Sequence, residues 1–247
     1  DENRIPIKFD VIVANPPFSL PWESSENMLS DPRFSDYGRL APKDKMDYAF
    51  IQHMLFQLSE KGTMATVVPH GVLFRGAAEG AIRKFIIEKR NWLEAVISLP
   101  SNIFYGAKIP SCIMIFKKNR KVNEKILFIE ASREFQKGKN QNKLSENHIN
   151  KIIETYINKT EIEKYSRLVD LKYIEENGYN LNITRYIDTF EDEEEVDIDE
   201  INRELKKVDL ELDETELEKA STPPDNKLAS DTKQQDAVKP TEQSLEY

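Results

Sequence analysis

Residues 9–14, Phe-Asp-Val-Ile-Val-Ala, form a short and nearly continuous apolar run that is cut off by Asn15-Pro16-Pro17-Phe18. A run of this length and composition predicts a strand covered on both faces, as in the parallel sheet of an α/β fold. Neither proline can donate a ladder hydrogen bond, so the strand has to end at Asn15. Ligands of open parallel sheets bind at the carboxyl ends of the strands. Asn15 to Phe18 therefore hold a site-like position.

The rest of the pattern repeats the same theme. A long loop with Pro21, Trp22, Pro32, Gly38 and Pro42 follows, too long for an ordinary connection and so a candidate substrate loop. Trp22, Phe34, Arg33 and Arg39 are placed to touch a polyanion there, although both aromatics read better as anchors of the loop. Tyr48, Ile51, Met54, Leu55 and Leu58 then recur at helical spacing, predicting a helix from about Asp44 to Glu60 closed by Gly62. "TMATVVP" at 63–69 reads as a strand, 77–90 as a helix with Ala81, Ile82, Phe85 and Ile86 inward, and 93–100 and 111–118 as two strands around the loop "SNIFYGAKIP". This alternation predicts a parallel sheet, and the last two strands, joined without a helix, predict an antiparallel edge. "KILFIEAS" is a further strand candidate.

The chemistry of the proline mouth follows from residue types. Two prolines in succession stiffen the loop and hold the Asn15 side-chain oxygen and the Pro16 carbonyl as two fixed acceptors. An exocyclic amino group has two N–H donors to match them. Accepting both raises electron density on the nitrogen and aims it at an electrophile. Phe18 offers a face on which the ring bearing that amine can stack. The same four residues also fit a plain proline turn with Asn as turn former.

The flanking segments separate these readings. Together with "NPPFSLPW" (15–22), the stretches "DYAFIQHMLFQL" (47–58), "VVPHGVLFRGAAEGAIRKFIIE" (67–88), "LEAVISLPSNIFYGAKIPSCIMIFKK" (93–118), "ILFIEAS" (126–132), "GKNQN" (138–142) and "YNLNITRYID" (179–188) resemble the modification subunit of type I restriction-modification systems, an adenine-N6 DNA methyltransferase. The resemblance implies that Asn15, Pro16, Pro17 and Phe18 form the amino-group methyltransferase motif, and that Phe104 or Tyr105 offers a second aromatic to a flipped base. It implies S-adenosylmethionine as methyl donor. It further implies double-stranded DNA, a specificity subunit, a second copy of the modification subunit and a restriction subunit as partners. Such enzymes cradle the donor in a glycine-rich loop, and this chain has no G-x-G among its eight glycines. The expectation is therefore a partial Rossmann-like methyltransferase sheet lacking its first strands, the C-terminal portion of a longer subunit, inactive by itself.

Charge and periodicity divide the remainder. The net charge of −9 is uneven: from Thr189 onward there are 20 acidic against 7 basic residues, leaving 24 against 28 in the body. A mildly basic body is compatible with phosphate contact, and the cluster Lys117, Lys118, Arg120 and Lys121 reads by default as a solvated turn. Residues 1–135 are expected to be the catalytic part and 136–188 a helical and extended closing segment. Within it Ile149, Ile152, Ile153, Tyr156 and Ile157 give a helix one apolar face. In 189–220, Ile198, Ile201, Leu205, Val208 and Leu212 form a 3, 4, 3, 4 seam for subunit assembly, with packing on its own domain as the other reading. Residues 221–247 have almost no apolar content, as in a disordered tail.

Other features exclude alternatives. A single cysteine, Cys112 in "SCIMIF", leaves no disulfide framework or four-cysteine zinc site and reads as a buried structural thiol. With only His53, His70 and His148, no metal site is indicated. His70 is expected to be a loop hydrogen-bonder, since an amine that attacks before losing its proton needs no dedicated base. No apolar run of membrane-spanning length occurs, and a cytoplasmic protein is expected. Two further functions share these features: methylation of a protein glutamine amide, against which the seam and "GKNQN" count, and a non-catalytic assembly module.

Overall fold

The apolar run at 9–14 is indeed a strand, β1 (Phe9–Ala14), in a computed structural model that describes residues 6–105, 108–189, 203 and 205–207. After it come α1 (Asp47–Gln57), β2 (Leu58–Pro69), α2 (Ala77–Lys84) continued by a π-helical turn (Phe85–Lys89), β3 (Leu93–Ser98) and β4 (Ser111–Lys117). The chain goes on through β5 (Ile126–Glu130), a small hairpin of β6 (Gln136–Lys137) and β7 (Asn142–Lys143), α3 (Glu146–Asn158), β8 (Ser166–Val169) and α4 (Leu171–Glu176). It closes on a 3-10 turn at Ile183–Arg185. Residues 1–191 and 192–247 form two separate units.

Six strands make one mixed sheet in the order β1-β2-β4-β3-β5-β8. Alternation along the strands sends side chains to two cores. Met64, Val68, Val96, Met114, Phe116 and Phe128 pack under α1 and α2, whereas Ala95, Ile97, Ile115, Leu127 and Ile129 pack with Ile152 and Tyr156 of α3. The α/β class read from the sequence is the observed one.

Several local expectations need correction. β1 is not covered on both faces: it is the sheet edge, paired only with β2, and Val11 and Val13 are 69% and 80% exposed while Ile12 and Ala14 pack inward. Apolar composition reports a demand for cover, and among the described residues nothing meets it on the Val11 side. Of the two strands around the loop "SNIFYGAKIP", the antiparallel one, β4, is not an edge; the antiparallel edge is β8, paired with β5. After β3 the loop 99–110 returns the chain into the interior, where β4 bonds antiparallel to both β2 and β3. Gly62 does not cap α1, because β2 already begins at Leu58. It lies inside the strand, where a Cβ would stand 3.0 Å from the Phe9 carbonyl oxygen, so its missing side chain permits the close approach of β1.

The closing segment 179–188 is not extended. It folds as a short turn that buries Tyr179, Leu181, Ile183, Tyr186 and Ile187, with Tyr186 stacked on Phe128 at 4.3 Å and the Leu181 N–H donating to the Leu73 carbonyl at 2.8 Å. On α3 the expected apolar face is divided: Ile152 is buried, but Ile149, Ile153 and Ile157 face outward. Of the proposed seam, Ile198, Ile201, Val208 and Leu212 lie outside the described residues; Leu205 is helical and exposed. The tail 221–247 also lies outside them.

The basic cluster after β4 departs from a solvated turn at Lys118 and Arg120, while Lys121 is exposed as expected. The side chains of Arg120 and Lys118 are 1% and 5% exposed, because acceptors inside the fold draw them in. Arg120 donates to the carbonyls of Leu93, Glu124 and Lys125 and to Asn91 Oδ1, and Lys118 donates to the Leu58 carbonyl with its ammonium over the Trp92 ring. Beneath them Glu94, almost wholly buried, is the shared counter-ion of Lys117 at 3.1 Å, Arg120 at 3.2 Å and Lys159. Burial pushes the Glu94 carboxyl up, but the ammonium groups of Lys159 and Lys117 outweigh this and hold it below its ordinary range.

Candidate active site

The ladder between β1 and β2 ends at the pair Ala14 and Thr66, so Asn15 is the first residue free of it. Pro16 and Pro17 carry the chain away from the sheet, leaving Asn15 and Pro17 exposed and Pro16 and Phe18 half-buried. Ser19 then takes a left-handed conformation, φ 49°, which costs energy for a residue with a Cβ. A buried acid holds it there. The Ser19 N–H donates to Asp47 Oδ1 at 2.8 Å, and Asp47 in turn pairs with Arg75 at 2.6 Å, which also binds Glu79.

That network was not read from the sequence. Asp47 at the head of an apolar helix looks like an ordinary first-turn acid favoured by the helix dipole. Its burial at 2% exposure distinguishes it, since a buried carboxylate needs partners, and it finds them in the turn after the proline mouth and in Arg75. Gly71 belongs to the same arrangement, because a Cβ there would collide with the Arg75 guanidinium. Farther along the loop, Met46 donates to the Leu20 carbonyl, and Trp22 donates through its indole to the Pro42 carbonyl while packing on buried Phe34. Both aromatics are anchors of this loop. Arg33 is engaged by Asp31 at 2.6 Å.

The loop between β3 and β4 brings a second ring to the mouth. Phe104 meets Phe18 with ring centroids 6.2 Å apart and planes at 85°, an edge-to-face contact. Tyr105, next in sequence, is 93% exposed, and the ring contact with Phe18 is made by Phe104. Of the two aromatic candidates it is thus Phe104 that joins the motif. Perpendicular planes are not those of a sandwich: one ring presents its face and the other its edge, so a planar ring at this mouth has one stacking face and one lateral wall. A cavity of about 410 Å³ beside them is lined by Asn102, Phe104, Tyr105, Lys108, Asn140 and Gln141.

His70 stands at the carboxyl end of β2, and its backbone N–H fastens the aromatic loop through the Pro110 carbonyl at 3.0 Å. Its ring does not act as the expected hydrogen-bonder, since Nε2 is buried without a partner. Burial holds that imidazole below its usual range, with the charge of Glu130 pulling the other way. Cys112 is fully buried, which pushes its thiol up and leaves it unreactive. Among the described residues no group of His, Cys, Asp and Glu is placed to hold a metal ion, and no helix is long and apolar enough to cross a membrane.

The chain is 38% identical over 202 residues to the type I restriction enzyme MpnII methylase subunit of Mycoplasma pneumoniae, covering 81% of this chain and 37% of that protein. It is 37% identical to the MjaVII methylase subunit of Methanocaldococcus jannaschii, with 81% and 36% covered. The crystal structure of the type I restriction-modification system methyltransferase subunit from Streptococcus thermophilus superposes with a TM-score of 0.72 at 49% identity, over 75% of this chain and 39% of that one. The chain thus spans little more than a third of the length of these relatives. The family model for N-6 DNA Methylase matches residues 1–195, and the chain belongs to that family.

Proposed function

We propose that this chain is part of the modification subunit of a type I restriction-modification system, and that its proline mouth holds the target adenine for N6 methylation. The observation that carries the reading is the convergence of Asn15, Pro16 and Phe18, at the free end of β1, with Phe104 from a distant loop. Asn15 Oδ1 and the Pro16 carbonyl accept the two amine hydrogens. With both bonds made, the nitrogen lone pair points away from the acceptors and the amine is a better nucleophile. Phe18 supplies the stacking face and Phe104 the wall that limits sliding of the base. A flipped base is required, because the amine of a paired adenine is occupied in the duplex.

S-adenosylmethionine supplies the electrophilic methyl group. The sequence has no G-x-G that would cradle it, and among the described glycines Gly62 and Gly71 serve close packing. The donor site is accordingly assigned to residues outside this chain. Double-stranded DNA, the specificity subunit, a second modification subunit and the restriction subunit are the proposed partners, with the 198–212 seam as the assembly element and the cytoplasm as the compartment. Transfer of labelled methyl to DNA but not to protein by the full-length subunit with its specificity subunit tests this. Labelling of a protein glutamine instead would favour the rival substrate.

The stacking role of Phe18 is separately testable. Phe18→Tyr retains the ring face and is expected to keep most activity, whereas Phe18→Ala should weaken binding of an extruded base by ~1–3 kcal/mol. A fluorescent adenine analogue at the target position reports the difference. Equal loss in both variants would mean that Phe18 is a packing residue of the mouth.

A further inference from the structure

We propose that the β6–β7 hairpin is a clasp that sets the position of Phe104 at the proline mouth, with Gln141 and Asn142 as its positioning residues. The proposal rests on the reading of the mouth as a base site. Four hydrogen bonds run between 101–103 and 140–142. Gln141 Nε2 donates to the Ile103 carbonyl at 2.9 Å, and Asn142 Nδ2 donates to the Ser101 carbonyl at 2.9 Å. The Asn142 N–H donates to the Asn102 carbonyl at 3.0 Å, and Asn102 Nδ2 returns a bond to the Asn140 carbonyl at 3.2 Å. Every carbonyl of the three residues that precede Phe104 is thus bound by the hairpin.

The hairpin has little else to do. Its strands are two residues long and joined by two residue pairs, Gln136 with Lys143 and Lys137 with Asn142, far short of what holds an isolated hairpin together. Three of its four strand residues are exposed, and none of them enters either core. Its polar groups are instead spent on the loop that carries Phe104. That loop needs a hold, because Asn102, two residues before Phe104, is left-handed at φ 55°, and the half-buried Phe104 touches Phe18 only edge-on. Freed of the clasp, the segment can swing the ring by more than the tolerance of a base site, where a misplacement of about 1 Å can cost about a hundredfold in rate.

Gln141→Met keeps the length of the side chain and deletes the donor, and Asn142→Ala deletes the second donor while keeping the backbone bond. In the full-length subunit assembled with its specificity subunit, each is expected to lower kcat on DNA about tenfold. The KM for the methyl donor and the thermal midpoint should be unchanged, and a 2-aminopurine at the target position should change its emission. The decisive measurement is the cycle with Phe104→Ala: if the clasp acts through that ring, adding either substitution to Phe104→Ala should cost less than about twofold more. Fully multiplying effects, or wild-type kinetics in both single variants, would overturn the clasp. An unaltered subunit that fails to methylate DNA would overturn the base-site reading itself, and the inference with it.

Discussion

Replacing Asn15 by alanine is expected to lower kcat of the full-length subunit on DNA by about 10²–10³-fold, the loss typical of deleting one preorganised polar group at a reacting centre. The reason is geometric. Asn15 is the first residue beyond the β1–β2 ladder, and the two prolines behind it remove the freedom that a lone asparagine would have. In the proposed mouth its amide oxygen is one of the two acceptors of the amine hydrogens; the other, the Pro16 carbonyl, belongs to the backbone and survives the substitution. One amine hydrogen then stays unbound and the nitrogen is no longer held in line. Because Asn15 is exposed and not part of the core, stability should hardly change, and because the donor site is proposed to lie outside this chain, the affinity for S-adenosylmethionine is expected to stay near normal. Asn15→Asp offers a useful contrast, keeping an acceptor of the same reach. Single-turnover methylation of a duplex with one target measures both variants, and near-normal turnover by Asn15→Ala would refute the assignment of the mouth.

What could be read from the sequence depended on whether a residue's role was local. The end of β1 was legible because proline removes a donor wherever it stands, and that places the motif at the strand mouth with no knowledge of the fold. The neighbours of β1 were not legible. Its apolar run says that burial is favourable, yet sheet order is decided by long-range pairing, which put β4 beside β2 and left Val11 and Val13 outside. Phe104 and Tyr105 could not be separated in one dimension, since adjacent residues in a loop point in different directions and only the fold shows which one meets Phe18.

The charged residues were the least legible. Lys118 and Arg120 looked solvated because basic clusters after strands usually are. Their burial depends on Glu94, some two dozen positions earlier, and on backbone carbonyls that a sequence does not display. Asp47 was hidden for the same reason, as its partners Ser19 and Arg75 lie 28 residues away on either side. The "GKNQN" segment carried a family resemblance but no visible chemistry, and its function as a clasp appears only when its amides are seen to face the carbonyls of 101–103.

Glu94→Ala is expected to destabilise the fold by ~3–5 kcal/mol, a large share of the ~5–15 kcal/mol that holds a typical domain together. The loss falls at the lower end of that range, because Arg120 retains four other acceptors, whereas Lys117 and Lys159 lose the carboxylate that they share. Glu94→Gln keeps the shape and isolates the charge, so the two variants together separate packing from electrostatics. The pH dependence has a definite sign. The folded-state carboxyl is held below its ordinary value of 4.5, so the stabilisation it gives is fully present above that pH and is lost as the pH falls through the folded value. The stability gap between the wild type and Glu94→Gln should therefore be constant from neutrality down to about pH 4.5 and close below it. Denaturant unfolding at a series of pH values measures that gap directly. A gap that persists unchanged into strong acid would mean that Glu94 acts through hydrogen-bond shape alone; one that widens with acid would reverse the sign and exclude the ion-pair hub as the force that draws Lys117, Arg120 and Lys159 inward.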